Sequence, residues 1–130
     1  MARSRTGPLQ VLLVDDEPLL VDAIGRLLRR AGLRVIEATD GIEALLRLRN
    51  EPVDVILSDV RMPQLDGPGL LRALRAEGDP TPLVFLTGYG DYGDSELLSL
   101  GASEVLGKPV TLPRLLAALH RAVHGEAAAP

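Results

Sequence analysis

Asp15, Asp16, Asp59, Thr87 and Lys108 are the residues whose types and placement bear on chemistry. Each ends or follows a short apolar run. Val11-Leu12-Leu13-Val14 leads into Asp15-Asp16, and Val53-Asp54-Val55-Ile56-Leu57-Ser58 leads into Asp59. Leu83-Val84-Phe85-Leu86 ends in Thr87, and Val105-Leu106 is followed by Lys108. Runs this short and this apolar read as buried parallel strands rather than helices. Parallel strands share one C-terminal edge, so three carboxylates, a hydroxyl and an ammonium group are expected at a single rim.

Carboxylates about 5 Å apart repel by about 3 kcal/mol per pair at an effective dielectric of about 20. Without compensation some would be driven to protonate. A hard divalent cation relieves the crowding, and an all-oxygen ligand set favours Mg²⁺ or Mn²⁺ over zinc. A metal, a fixed positive charge and a positioned hydroxyl are the groups that phosphoryl transfer uses. One carboxylate can itself be the nucleophile and hold the group as an acyl phosphate. Asp59, on the central run between the Asp15-Asp16 pair and the Thr87/Lys108 side, is the candidate for that role.

Helix-period segments alternate with the strands and must position these groups. Leu20, Ile24, Leu27, Leu28 and Ala31 make an apolar stripe between Pro18, which suits a first turn, and Gly32, which suits a helix end. Leu19 and Val21 fall off that stripe near the acidic rim, with Gly25 one turn on, and are expected as an exposed contact surface. A weak alternation over 33–37 reads as a second strand. Helices are expected at 42–49 (capped by Asp40), 68–76, 95–100 and 112–123. Five βα units demand an open, doubly wound parallel sheet with helices on both faces. Ligands bind such sheets at the carboxyl ends of strands where strand order reverses; in the order 2-1-3-4-5 that point lies between the first and third strands.

Composition agrees with one domain of 130 residues. Apolar residues reach 46% but aromatics only 2%, so Leu, Val, Ile and Ala must fill the core. A net charge of −4 argues against direct nucleic-acid binding. The chain has no cysteine, which excludes disulfides, thiolate metal sites and thiol catalysis. No apolar stretch is long enough to span a membrane, and the first residues lack the apolar segment of a signal peptide. The expected location is the cytoplasm. Residues 1–8 and 125–130 are expected as disordered tails around a domain over 9–124.

Four motifs occur in order at matching separations: Val14-Asp15-Asp16-Glu17, Asp59-Val60-Arg61-Met62-Pro63 with Asp66-Gly67, Thr87-Gly88, and Lys108-Pro109. On these residues the chain resembles the receiver domains of two-component response regulators over roughly 9–124. The resemblance implies a flavodoxin-like fold and a signalling switch rather than an enzyme. It implies that Asp59 accepts a phosphoryl group from a sensor histidine kinase or a histidine phosphotransfer protein. It further implies that Asp16, Asp59 and the backbone carbonyl of Arg61 bind Mg²⁺, with Asp15 acting mainly through water. Lys108 would pair with the phosphoryl group, Thr87 would bond it, and Lys108-Pro109 would be a cis peptide. The downstream partner is unspecified; a homodimer through the fourth helix, fifth strand and fifth helix is one expected readout.

The pattern departs from the family at two places. Val105 stands where many receivers carry Tyr or Phe, and Val110 where Phe is common. Switching is therefore expected to run through residues 88–100, whose loop 88–94 is glycine-rich and expected to be mobile, with Tyr89 or Tyr92 as replacement aromatics. Too few residues flank the domain for an output module, which fits a free-standing receiver or one cut from a longer protein. Simpler readings apply to single residues. Asp15-Asp16-Glu17-Pro18 alone would pass as a helix cap. His120 and His124 have metal-pair spacing but read as solvated side chains near a fraying terminus. The arginines at 26, 29, 30, 47, 49, 72 and 75 read as polar helix faces. A flavin carrier would want a Ser/Thr/Gly loop where this chain has Asp-Asp-Glu-Pro, and an aspartate-nucleophile phosphatase would want an acid where Arg61 stands.

Overall fold

Five β-rich runs become five parallel strands: β1 Gln10–Val14, β2 Arg34–Ala38, β3 Val55–Ser58, β4 Leu83–Thr87 and β5 Glu104–Gly107. They hydrogen-bond in the order β2-β1-β3-β4-β5. Between and after them lie α1 Pro18–Arg30, α2 Gly41–Asn50, α3 Gly67–Ala76, α4 Asp94–Ser99 and α5 Leu112–His124. This computed structural model describes residues 7–88 and 93–125. Tyr89 and Tyr92, and most of the tails expected at 1–8 and 125–130, lie outside the described residues.

Both faces of the sheet are covered, as the apolar runs of β1, β3 and β4 require. Successive side chains point to opposite faces. Val11, Leu13, Val55, Leu57, Val84 and Leu106 pack against α1 and α5. Leu12, Val14, Ile56, Leu83 and Phe85 pack against α2, α3 and α4. Phe85, the one phenylalanine, is fully buried at the centre of the second layer.

Local chemistry sets the helix starts. Asp40 accepts the Glu43 N–H at 2.9 Å and starts α2. Asp66 accepts the Gly69 N–H at 2.8 Å and starts α3. Thr111 accepts the Arg114 N–H at 3.4 Å and starts α5. Pro occupies the first turn of α1, α3 and α5, where the missing N–H is harmless.

Several boundaries and faces differ from the sequence reading. The buried face of α1 is Val21, Ile24, Gly25 and Leu28. Val21, expected as exposed contact surface, is in the core, whereas Leu27 and Ala31, expected inside, are exposed. The helix packs against β1, β2 and α5 together, which turns its buried arc away from Leu27. Gly25 lies under the Arg29–Glu37 ion pair, where a Cβ would come within 3.1 Å of the Arg29 guanidinium. Leu19 is 86% exposed, as expected.

β3 starts at Val55 because Asp54 turns its carboxylate onto the Gln10 N–H at 2.8 Å. β5 begins earlier than expected, at Glu104, whose charge is buried against Arg121. Arg75 is half-buried rather than solvated, and its guanidinium donates to the carbonyls of Asp79 and Thr81. Gly125, expected in the tail, is the left-handed C-cap of α5 at φ 71°.

Candidate functional site

The sheet delivers the functional side chains one step past the strand ends. The Asp15 N–H bonds the Ala38 carbonyl at 3.1 Å, extending the β1–β2 pairing by one residue. The Asp59 N–H bonds the Val14 carbonyl at 2.9 Å, and the Lys108 N–H bonds the Thr87 carbonyl at 2.7 Å. Each of these backbones is thus fixed by the sheet while its side chain is free to reach over the rim. Asp15 lies at the end of β1 and Asp59 at the end of β3, its neighbour, on the side where strand order reverses.

Asp15, Asp16 and Asp59 each present a carboxylate oxygen within 4.8 Å of the others. Asp15 is buried, Asp59 half-buried and Asp16 exposed. The Lys108 ammonium spans two of them, 3.6 Å from Asp15 Oδ2 and 3.5 Å from Asp59 Oδ1. Asp15 Oδ1 accepts the Glu17 N–H at 2.9 Å, and Asp59 Oδ1 accepts the Val60 N–H at 2.8 Å. Glu17 is the N-cap of α1 and makes no side-chain capping bond, so the acidic run is not spent on starting the helix.

Burial pushes the Asp59 carboxyl above its usual range; the Lys108 charge pulls it back, Asp15 pushes it further up, and the Val60 N–H and Lys108 hydrogen bonds pull it down. Lys108 lies between two of these three carboxylates. Oxygens converging from one buried, one half-buried and one exposed acid fit a hard cation that keeps part of its water shell. The donor set therefore fits Mg²⁺ or Mn²⁺.

The loop after β3 frames the site. A Cβ at Gly67 would collide with the Asp59 carbonyl oxygen and the Phe85 ring, and one at Gly41 would meet the Leu65 backbone. Only glycine lets α3 and α2 approach this closely. The Gly67 N–H bonds the Val60 carbonyl and the Gly41 N–H the Leu65 carbonyl, both at 2.9 Å. Gln64 takes a left-handed turn at φ 68° within the loop. Arg61, expected as a metal ligand through its carbonyl, lies in this loop with its side chain exposed. Thr87 is half-buried at the end of β4, paired in register with Gly107. Lys108-Pro109 is cis.

The sequence reading missed Ser58, whose buried hydroxyl donates to the Asp59 carbonyl oxygen at 2.8 Å. Its position immediately before an acid at a strand end was the only signal. Val105 and Val110 are both partly buried against the core.

An open parallel sheet with a cation-ready acidic cluster at its switch point, and a lysine across from it, defines a receiver-like α/β domain. The chain belongs to the response regulator receiver domain family, whose model matches residues 11–120. It is 38% identical over 111 residues to the response regulator MprA of Mycobacterium sp. strain KMS, covering 85% of this chain and 48% of that protein. This chain thus spans about half the length of that relative. Among solved structures, the receiver domain of the Francisella response regulator 1452 superposes with a TM-score of 0.83 at 30% identity, covering 90% of this chain and 98% of that one. The receiver domain of the sensor histidine kinase PA1611 from Pseudomonas aeruginosa superposes with a TM-score of 0.81 at 35% identity, covering 91% and 99%. That neighbour has a magnesium ion coordinated in its active-site cleft.

Proposed function

We propose that Asp59 accepts a phosphoryl group from the phosphohistidine of a sensor histidine kinase or histidine phosphotransfer protein, and that the domain then signals through protein contacts. The observation that carries this reading is the convergence of Asp15, Asp16 and Asp59 within 4.8 Å, with Lys108 spanning two of them. In the transfer an Asp59 carboxylate oxygen forms a bond to phosphorus while the P–N bond to the donor imidazole breaks. The imidazole leaves with that electron pair. Val60 N–H and the sheet hydrogen bond from Asp59 N–H to Val14 hold the nucleophile in place. Lys108, already at 3.5 Å from Asp59, meets the transferred negative charge without a large move. Thr87, on the adjacent strand end, offers its hydroxyl to a phosphoryl oxygen.

Asp16, Asp59 and the Arg61 carbonyl would hold Mg²⁺ or Mn²⁺ directly, with Asp15 acting through water. When bound, the ion supplies charge neutralisation at the acidic edge and on the phosphoryl oxygens. The magnesium in the cleft of the PA1611 receiver domain supports this. Leu19, exposed on α1 near the rim, is the apolar contact offered to the phosphodonor. The reading makes the chain a signalling switch in the cytoplasm, with no direct nucleic-acid contact and with α4, β5 and α5 as an output or homodimer face. No described helix is long and apolar enough to cross a membrane.

The test uses Asp16→Ala, with Mg²⁺ affinity and labelling by acetyl phosphate both measured. The expected outcome is Mg²⁺ binding weakened at least about tenfold, since losing a group that only orients a metal ligand already costs about 10–100-fold, and labelling slowed in parallel. Unchanged Mg²⁺ affinity in the variant would remove Asp16 from the site.

A further inference from the structure

His120 and His124 stand one turn apart on α5 and are both exposed, with rings inclined by 12° and centroids 6.4 Å apart. They are the only histidines in the chain. Read from sequence alone they belong to a fraying terminus. The structure changes that premise: α5 continues through His124 and is closed by the left-handed cap at Gly125. Both rings therefore rise from a formed helix, on one face, as residues four apart do. Toward the helix start that side of α5 continues with exposed Ala117 and Pro113 and with half-buried Leu116, which packs on the core.

Arg121 would be the obvious rival for this space. Its guanidinium instead grips buried Glu104 with two bonds, at 2.8 Å from Nε and 2.7 Å from a terminal nitrogen. Its charge is thereby matched, and its head is directed to β5. The histidines occupy the last turns of α5, where the outward carbonyl ends favour a cation.

We propose that His120 and His124 form a bidentate site for a borderline divalent transition metal, Zn²⁺, Ni²⁺ or Cu²⁺, with water completing the coordination. Imidazole nitrogen suits these ions, whereas Mg²⁺ demands oxygen ligands. Metal–nitrogen bonds of about 2.0–2.1 Å bring the two centroids to roughly 5 Å. From 6.4 Å, exposed rings reach that by a small side-chain rotation with no backbone change. Once one imidazole has bound, the second binds intramolecularly at high effective concentration. The site is chemically distinct from the carboxylate cluster, so the chain would hold a hard ion at its acidic edge and a softer ion on α5.

The chain's own composition provides the test. Every imidazole NMR signal belongs to this pair, so Zn²⁺ captured by Asp15, Asp16 and Asp59 leaves those signals unmoved. The full chain is titrated with Zn²⁺ in excess Mg²⁺, following the two imidazoles. Both rings should respond together with one ion per chain, and Cu²⁺ should bind more tightly than Zn²⁺. In His120→Ala the response of His124 should need at least about tenfold more Zn²⁺, because the chelate is lost; His124→Ala should do the same to His120. Silent rings, or a remaining histidine that responds at the wild-type midpoint, would overturn the proposal. Both substitutions are on an exposed helix face, and circular dichroism of each variant confirms that the fold is kept.

Discussion

Asp59 is a carboxylate whose ionisation works against the fold that holds it. Its folded pKa is raised above the ordinary 3.8, mainly by burial. Such a group favours the fold below the unfolded value, and that contribution is lost as pH rises through the raised folded value. Near neutral pH, in a chelating buffer, the ionised Asp59 beside Asp15 is therefore a net burden. Asp59→Asn should melt at a higher temperature than the natural chain at about pH 7, and the gap should narrow at about pH 3.5, where the carboxyl is protonated. Thermal unfolding at both pH values reads this directly. A variant that melts lower at neutral pH would mean that Lys108 more than compensates the crowding. The same residue was legible in the sequence because its run converges with Asp15-Asp16, Thr87 and Lys108 on one rim; taken alone it would pass as an ordinary strand-end polar residue. Ser58 was not legible, because its work is a hydroxyl-to-carbonyl bond that no spacing reveals.

At the scale of elements, the site depends on strand ends being held in register. β5 is an edge strand, and its first residue, Glu104, is tied to α5 by the two-bond pair with Arg121. Glu104→Ala would leave a guanidinium that is only 26% exposed without its main partner. The expected cost is about 2–3 kcal/mol, at or below the low end for breaking a buried pair because Arg121 keeps some water. Urea unfolding should show a lower midpoint with an unchanged slope. A loss within about 0.5 kcal/mol would mean that the pair behaves as a surface one. This pair also marks where sequence reasoning failed. Glu104 interrupts an apolar pattern, so β5 was read two residues short, although a buried acid with an arginine on the next helix completes the strand. The apolar face of α1 was misjudged for a related reason. Periodicity gives a stripe but not its centre, and the joint packing of α1 against the sheet and α5 brought Val21 in and left Leu27 out. Strand order, helix count and the cap at Asp40 were legible because each rests on local chemistry or on a topological rule; the Asp66 cap of α3 came only with the structure.

Taken as a whole molecule, the chain has two packed layers meeting at one sheet, with the acidic edge at their common rim. A phosphoryl group can redistribute its states only through contacts that differ between them. Val105, partly buried against the α3 and α4 layer, has no large rotamer change to offer. The response to an acyl-phosphate mimic such as beryllofluoride should therefore fall on Gly88 to Leu100, which follows Thr87 and carries α4, more than on β5. Hydrogen exchange should show added protection there. Unchanged exchange in that segment, with the effect confined elsewhere, would contradict this route.

The central claim, that this edge exists to receive a phosphoryl group on Asp59, is tested most directly by intact-mass spectrometry. The natural chain and Asp59→Asn are each incubated with Mg²⁺ and acetyl phosphate. The natural chain should gain the mass of one phosphoryl group, lose the gain when the metal is chelated beforehand, and carry the label on the peptide containing Asp59. The variant, whose amide is a poor nucleophile, should gain nothing. The same mass gain in the variant would contradict the account.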